Sequence, residues 1–189
     1  MKKNVLLLTA LLVSAATFAQ TWSLDKAHSK LGFSVSHLMI STVDGSFKSV
    51  EAKITSSKED FSDAVIELTA ETNSVNTDNE KRDGHLQTPD FFDAAKYPTI
   101  TFKSKSFKKT GDKKYKLSGD LTLHGVTKPV ELDVVLGGVA VHPYTKKNIA
   151  GFKITGTIKR SDFGVGTGTP TSVVGDEVVI AAATEFAKD

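Results

Sequence analysis

The chain has 189 residues, with 24 Lys plus Arg against 22 Asp plus Glu for a net charge of +2, and 39% of its residues are hydrophobic. That length suits one domain, and that balance suits a folded chain rather than a disordered one. The small net charge argues against a nucleic-acid partner, whose phosphates call for a basic surface. The absence of cysteine excludes disulfides, thiolate-bound zinc, iron–sulfur clusters, a thiol nucleophile and a lipid-modified N-terminal Cys.

Residues 1–19 read as a secretory leader. Lys2 and Lys3 form a basic start, Val5 to Val13 is an apolar run broken only by Thr9, and Ser14, Ala15, Ala16, Thr17 and Ala19 are small residues before a cleavage point. The run is too short to span a bilayer. Cleavage after Ala19 removes Lys2 and Lys3, leaves a mature chain without net charge, and implies a protein soluble in the periplasm or outside the cell. The mature segment, 20–189, shows no repeat, linker or low-complexity tract and reads as one domain.

Period-two alternation dominates that segment, as expected of strands with one buried face. Leu31, Phe33, Val35 and His37 share a face opposite Lys30, Gly32, Ser34 and Ser36. Val50 to Thr55, Ala64 to Glu71 and Thr99 to Phe107 follow. Tyr115, Leu117, Gly119, Leu121 and Leu123 alternate with Lys114, Lys116, Ser118, Asp120 and Thr122. Val130 to Leu136, Phe152 to Lys159 and Val178 to Ala182 complete about eight strands, the pattern of an all-β sandwich or barrel. Turns are expected at Asp44-Gly45, Gly111-Asp112, Gly137-Gly138 and Gly175-Asp176. Thr77-Asp78-Asn79-Glu80 fits a capping box and predicts a helix from Thr77 to Leu86. Pro89 at a first helical position predicts a second over Pro89–Ala95. Eight antiparallel strands can close into a barrel whose interior is packed solid or holds one small ligand. Gly119 and Gly156, on apolar faces, then mark a bend or leave room inside.

Seven stretches in order resemble the YceI-like proteins, a periplasmic lipid-binding, lipocalin-like family. They are Trp22 to Ser29, Gly45-Ser46-Phe47, Arg82 to Leu86, Asp90 to Asp93, Tyr97 to Phe102, Gly119 to Lys128 and Arg160 to Gly164, and together they cover nearly all of the mature chain. Val139 to Asn148 carries no motif and looks like a variable hairpin. The resemblance implies an eight-stranded antiparallel lipocalin-like barrel around an apolar channel. It also implies a non-enzymatic binder of a long-chain isoprenoid, an isoprenoid quinone or a related amphiphile, with no cofactor beyond that lipid.

On that reading the tail lies against Phe33, Val35, Phe47, Phe91, Phe92, Phe102, Leu117, Leu121, Phe152, Ile154 and Phe163. The plain alternative for any of these is a packed core. Phe152 is the first choice for the channel wall. The candidates for the channel mouth are His37, Arg82, His85, His124, Arg160 and Asp162, with His28 and Asp83 nearby in type. An Arg there suits a pyrophosphate or carboxylate head. The plain alternative is that such groups brace loops and pair with each other, Arg160 with Asp162 for instance. Five histidines, His28, His37, His85, His124 and His142, show no metal-ligand spacing, so no metal is expected. Asp162-Phe163-Gly164 lacks the other kinase motifs, Gly166 to Pro170 lacks the ending of a phosphate loop, and no Ser is set in a nucleophile elbow. Lys103 to Lys116 holds seven lysines against Asp112 alone, either a solvated hairpin that discourages edge pairing or a docking patch for an anionic membrane. A homodimer is compatible with all of this. The rival functions are a hydrolase working on a lipid-like substrate through the His/Asp/Arg group, and a ligandless structural or stress protein whose barrel is filled by side chains.

Overall fold

The structure is a computed structural model that describes residues 19–189; the predicted leader lies almost wholly outside the described residues. Eleven strands run in chain order: β1 Gln20–Leu24, β2 Lys30–His37, β3 Ser41–Phe47, β4 Val50–Ser56, β5 Val65–Glu71, β6 Val75–Asn76, β7 Thr99–Gly111, β8 Lys114–Leu123, β9 Val126–Val141, β10 Asn148–Lys159 and β11 Val174–Lys188. Among the described residues a single α-helix, α1 Glu80–Leu86, lies between β6 and β7. All pairings are antiparallel, in the order β1-β4-β5-β7-β8-β9-β10-β11, and β1 also pairs with β11. The ring is therefore a closed eight-stranded barrel. β2, β3 and β6 prolong β1, β4 and β5 beyond short interruptions, so β11 meets β1 through Phe186 to Lys188 and β2 through Val174 to Ala183. Closure removes the exposed edges that an open sheet would present.

The strand alternation is realised as expected. Along β8 the odd-numbered residues from Tyr115 to Leu123 are buried and point inward. Gly119 and Gly156 hold room that neighbouring side chains fill: a Cβ on Gly119 would come within 2.4 Å of the Phe102 ring, and one on Gly156 within 2.4 Å of Leu132.

Several turn and helix expectations are corrected. Asp44-Gly45 is no turn but the middle of β3, where Gly45 faces inward beneath the Phe33 ring. Gly137-Gly138 lies inside β9, and Gly175-Asp176 lies in the irregular start of β11, where the register with β2 shifts. The first helix starts at Glu80 instead of Thr77. Its cap is Asn79, whose side-chain oxygen accepts the Arg82 amide at 3.0 Å. Residues 89–95 form turns in place of a second helix. The amides of Phe91 and Asp93 both return to Thr88 C=O, and Asp93 adopts a φ of +48°, which a continuing helix cannot contain.

The two halves of the barrel differ. At the end holding the β4–β5 loop, Trp22, Phe61, Phe107, Tyr115, Phe152 and Phe186 are buried and pack ring to ring. Phe61 meets Trp22 at 5.1 Å and Phe152 at 5.2 Å between centroids, and Tyr115 stacks on Phe107 at 4.5 Å. The Tyr115 hydroxyl donates to Asp60 C=O at 2.6 Å and ties the loop across this end. Phe61 enters from that loop with a φ of +59°, a conformation that costs about 1–2 kcal/mol in a non-glycine residue. Its ring is 1% exposed, and burying it offsets that cost. Toward the α1 end many inward-facing side chains, among them Leu31, Phe33, Val35, Phe47, Leu68, Phe92 and Ile180, are only half buried. One end is a packed floor and the other half stays hollow.

Phe61→Ala removes the plug of that floor. Urea denaturation is expected to show a loss of about 3–5 kcal/mol. A loss below about 1 kcal/mol would contradict a solid floor.

Candidate functional site

The hollow half is a cavity of about 260 Å³. Phe33 and Val35 of β2, Phe47 of β3, Ile66 and Leu68 of β5, Phe102 of β7, Leu117 and Leu121 of β8, and Phe152 and Ile154 of β10 contribute to its wall. Leu86, Phe91 and Phe92 reach it from the segment between β6 and β7. Ten of the eleven residues expected along a lipid tail therefore line the cavity. Phe163 does not: it is 1% exposed, in the 3₁₀ turn Arg160–Phe163, and packs in the core behind the wall. Phe152 has a double position. It forms part of the lining, yet its ring touches Phe61 at 5.2 Å and Phe186 at 6.0 Å in the floor. The volume sits just below the range of about 300–1,000 Å³ usual for small-molecule sites. The half-buried rings of Phe33, Phe47 and Phe92 stand side by side in the wall, with centroids 5.8 Å apart from Phe33 to Phe47 and from Phe47 to Phe92.

The polar candidates do not converge on the cavity, although Arg82 and His85 share a shallow hollow on α1 with Asn79 and Lys81. Arg160 alone among them lines the cavity, and its guanidinium is fully engaged. Nε donates to Gly175 C=O at 3.1 Å, Nη1 to the carbonyls of Val165 and Gly166 at 3.0 and 2.5 Å, and Nη2 to those of Thr169 and Val174 at 2.8 and 3.0 Å. All five N–H donors of an Arg side chain are thus used. Arg160 does not pair with Asp162, which is exposed and faces Lys128 at 3.7 Å. Arg82 donates through Nε to the Thr77 hydroxyl at 2.7 Å and through Nη2 to Thr77 C=O at 2.8 Å. Asp83 accepts the Thr77 amide and hydroxyl, so the pair holds α1 against the end of β6. His85 is exposed, 3.1 Å from Asp90, and rests edge-on against Phe91. His124, in the β8–β9 turn with a φ of +52°, lies edge-on to Tyr97 at 4.6 Å. His37 is half buried at the end of β2, opposite Ser41 and Val174.

Other groups went unnoticed in the sequence. Lys26, Ser29, Lys30 and Lys48 line the cavity where β1 gives way to β2 and β3 to β4. Nothing in their spacing singles them out, because each is an ordinary lysine or serine next to a strand end. The 3₁₀ turn Lys26–His28 at this place is capped by Asp25, whose carboxylate accepts the Ala27 amide and meets His28 Nδ1 at 2.9 Å. That hydrogen bond, with the carboxylate charge, raises the His28 pKa above its ordinary 6.5. The same bond lowers that of Asp25 against the opposing effect of partial burial. Among the described residues, Asp25, His28 and Glu185 are the set of possible metal ligands brought within 4.8 Å of one another. The lysine-rich stretch 103–116 forms the β7–β8 hairpin. Four of its seven lysines meet carboxylates of neighbouring strands: Lys103 with Glu67, Lys105 with Asp120, Lys109 with Asp60, and Lys116 with Glu131 and Asp133.

A closed up-and-down barrel with a packed floor and an apolar hollow is the architecture of small-molecule-binding barrels. Residues 22–186 match the family model described as the YceI-like domain, and the chain belongs to that family. It is 38% identical over 172 residues to protein YceI of Salmonella newport, covering 88% of this chain and 89% of that protein. The crystal structure of Burkholderia cenocepacia BcnA is similar at a TM-score of 0.78 and 28% identity, covering 86% of this chain and 98% of the other. A polyisoprenoid binding domain from Saccharophagus degradans, implicated in plant cell wall breakdown, shares the fold at a TM-score of 0.65 and 18% identity, over 90% and 99% of the two chains.

Two consequences of this geometry are measurable. Arg160→Ala leaves five carbonyls, those of Val165 and Gly166 buried and the other three half buried, without their donors and is expected to cost about 3–5 kcal/mol in urea denaturation. A cost under about 1 kcal/mol would mean that the loop does not depend on Arg160. The Asp25–His28 contact has a pH window. The raised His28 value gives stability present below pH 6.5 and lost as pH rises through the folded value; the lowered Asp25 value gives stability present above pH 3.8 and lost as pH falls through the folded value. NMR titration is expected to place His28 above 6.5 in the native chain and to lower its pKa in Asp25→Asn. Equal values in the two proteins would contradict the contact.

Proposed function

We propose that this protein binds a long apolar lipid, an isoprenoid, an isoprenoid quinone or a similar amphiphile, inside its barrel and carries it through an aqueous compartment. The leader-like residues 1–19 support a compartment outside the cytoplasm, periplasmic or extracellular. The observation that carries the reading is the cavity itself: a hollow above a solid floor, walled by Phe, Leu, Ile and Val side chains, several of which remain half buried in a folded chain. Leaving such surface uncovered forgoes about 25 cal/mol for each Å² that a tail would cover. Each tail methylene that enters gains about 0.8 kcal/mol, so a tail can be held by burial alone, less the cost of ordering it. The fold is also that of the Saccharophagus domain described as polyisoprenoid-binding.

The hollow speaks against a barrel filled by side chains. Against a hydrolase stands the scatter of the His/Asp/Arg group: the cavity lining contains neither a carboxylate nor an imidazole, and Arg82, His85, His124 and Asp162 make their contacts elsewhere. On this reading the protein shields its cargo and transforms nothing.

The test is organic extraction of the protein purified from its exported form, followed by mass spectrometry. An isoprenoid-type lipid is expected to co-purify with the native chain and to fall several-fold in Ala52→Phe, which fills the cavity from β4 with an apolar ring. Phe152→Asp is the poorer variant, since it places a charge in the floor and tests folding instead. A native extract with no lipid above that of an unrelated exported protein, together with no uptake of added isoprenoid, would overturn the proposal.

A further inference from the structure

The barrel wall has one place where two adjacent strands release each other. Pairing of β1 with β4 stops at Ser23 and Lys53, and pairing of β2 with β3 resumes at Leu31 and Phe47. Between those rungs the backbone on each side turns to its other neighbour. The Asp25 amide donates to Glu185 C=O at 2.8 Å, and the Ser29 hydroxyl accepts the Glu185 amide at 2.9 Å. Across the gap, the Lys48 amide donates to Ser74 C=O at 3.0 Å, and the Ser49 amide to the Ser74 hydroxyl at 3.0 Å. What remains is a window in the side of the barrel, between residues 24–30 and 48–52.

The chemistry of the lining is concentrated there. Lys26, Lys30 and Lys48 all belong to the window, and the one other cation of the cavity, Arg160, has no N–H left to offer. No carboxylate lines the cavity. Glu51, on the β4 side, reaches across to form an ion pair with Lys26. Both partners are largely exposed, at 61% and 71%, so the pair is weak and open to exchange. Among the described residues Lys30 and Lys48 form no ion pair. Lysine stems can lie along apolar surface while their ammonium groups stay in water, which lets all three serve a group seated at the window.

We propose that this window is the head-group site and that the cargo ends in anionic oxygens, a carboxylate or a phosphate ester. The assignment rests on the lipid-carrier reading and adds the class of ligand. The tail enters the apolar hollow, and the head stays at the window between Lys26, Lys30 and Lys48. There it takes the position that Glu51 partly fills in the empty barrel. A neutral head gains only hydrogen bonds from the ammonium groups. An anion gains from each of them beside a low-dielectric interior, where screening is weaker than in open water.

The experiment compares three straight-chain probes of equal length on the full chain: the carboxylic acid, the alkyl phosphate and the methyl ester. Affinity is read by displacement of a neutral fluorescent dye from the cavity. The native protein is expected to bind both anions more tightly than the ester, with the anion advantage shrinking as salt is added. The relative strength of the two anions identifies which terminus is preferred. The triple variant Lys26→Gln, Lys30→Gln, Lys48→Gln is expected to lose about tenfold or more for the anions and less than about twofold for the ester. Glu51→Gln, which frees Lys26, is expected to strengthen anion binding. Equal binding of acid, phosphate and ester by the native chain, or equal loss of all three in the triple variant, would overturn the head-group site and leave the carrier standing. Failure of the native chain to bind any of the three would overturn the carrier reading itself.

Discussion

The structure depends on the closure of the sheet along β11. This one strand of 15 residues bonds to β10 on one side and to both β1 and β2 on the other. Without that seam the sheet would have two free edges and the inward faces of the strands would have no opposite wall. With it, backbone donors and acceptors are paired around the ring, and every second side chain is forced into a shared interior. Eight strands enclose more space than the aromatic floor can fill, and the excess is the cavity.

Closure also explains why the polar residues sit where they do. A buried cation without a carboxylate would ordinarily destabilise a small domain. Arg160 is tolerated because the chain from Val165 to Gly175 curls around its guanidinium and supplies five carbonyls. It is a brace for the β10–β11 connection, which must turn back for β11 to reach β2. Arg82 and Asp83 do the same for α1 through Thr77. These residues are ionic in type but structural in what they touch. Of the cations that line the cavity, Lys30 and Lys48 at the break in the wall form no ion pair among the described residues.

Much of the fold was legible in the sequence because alternation reports burial directly. β5, β7, β8 and the centre of β10 follow from the pattern of apolar residues alone, and α1 follows from its polar start. β1 was missed because five residues are too few for alternation to stand out, and β3 because Asp44-Gly45 has the composition of a turn. Gly45 is there for the opposite reason, to let the Phe33 ring lie across a flat strand. The ten cavity-lining residues were legible for the same reason as the strands. Phe61 was not, since it reaches the floor from a loop, through a backbone conformation that composition does not reveal. Nor was the window. It comes from register between strands far apart in the chain, and no local signal marks Lys26, Lys30 and Lys48 as neighbours.

The central claim is that a lipid tail occupies the inside of the barrel, and methyl NMR during titration with a dispersed isoprenoid alcohol tests it most directly. Adjacent residues in the same strands point to opposite sides of the wall: Ile66 and Val65, Val134 and Val135, Ile180 and Val179. The first of each pair lines the cavity, and the second is 47%, 42% and 45% exposed on the outer face. The account predicts saturable shifts of the Ile66, Val134 and Ile180 methyls with little change at Val65, Val135 and Val179. Shifts confined to the outer methyls, or equal on both faces, would contradict it.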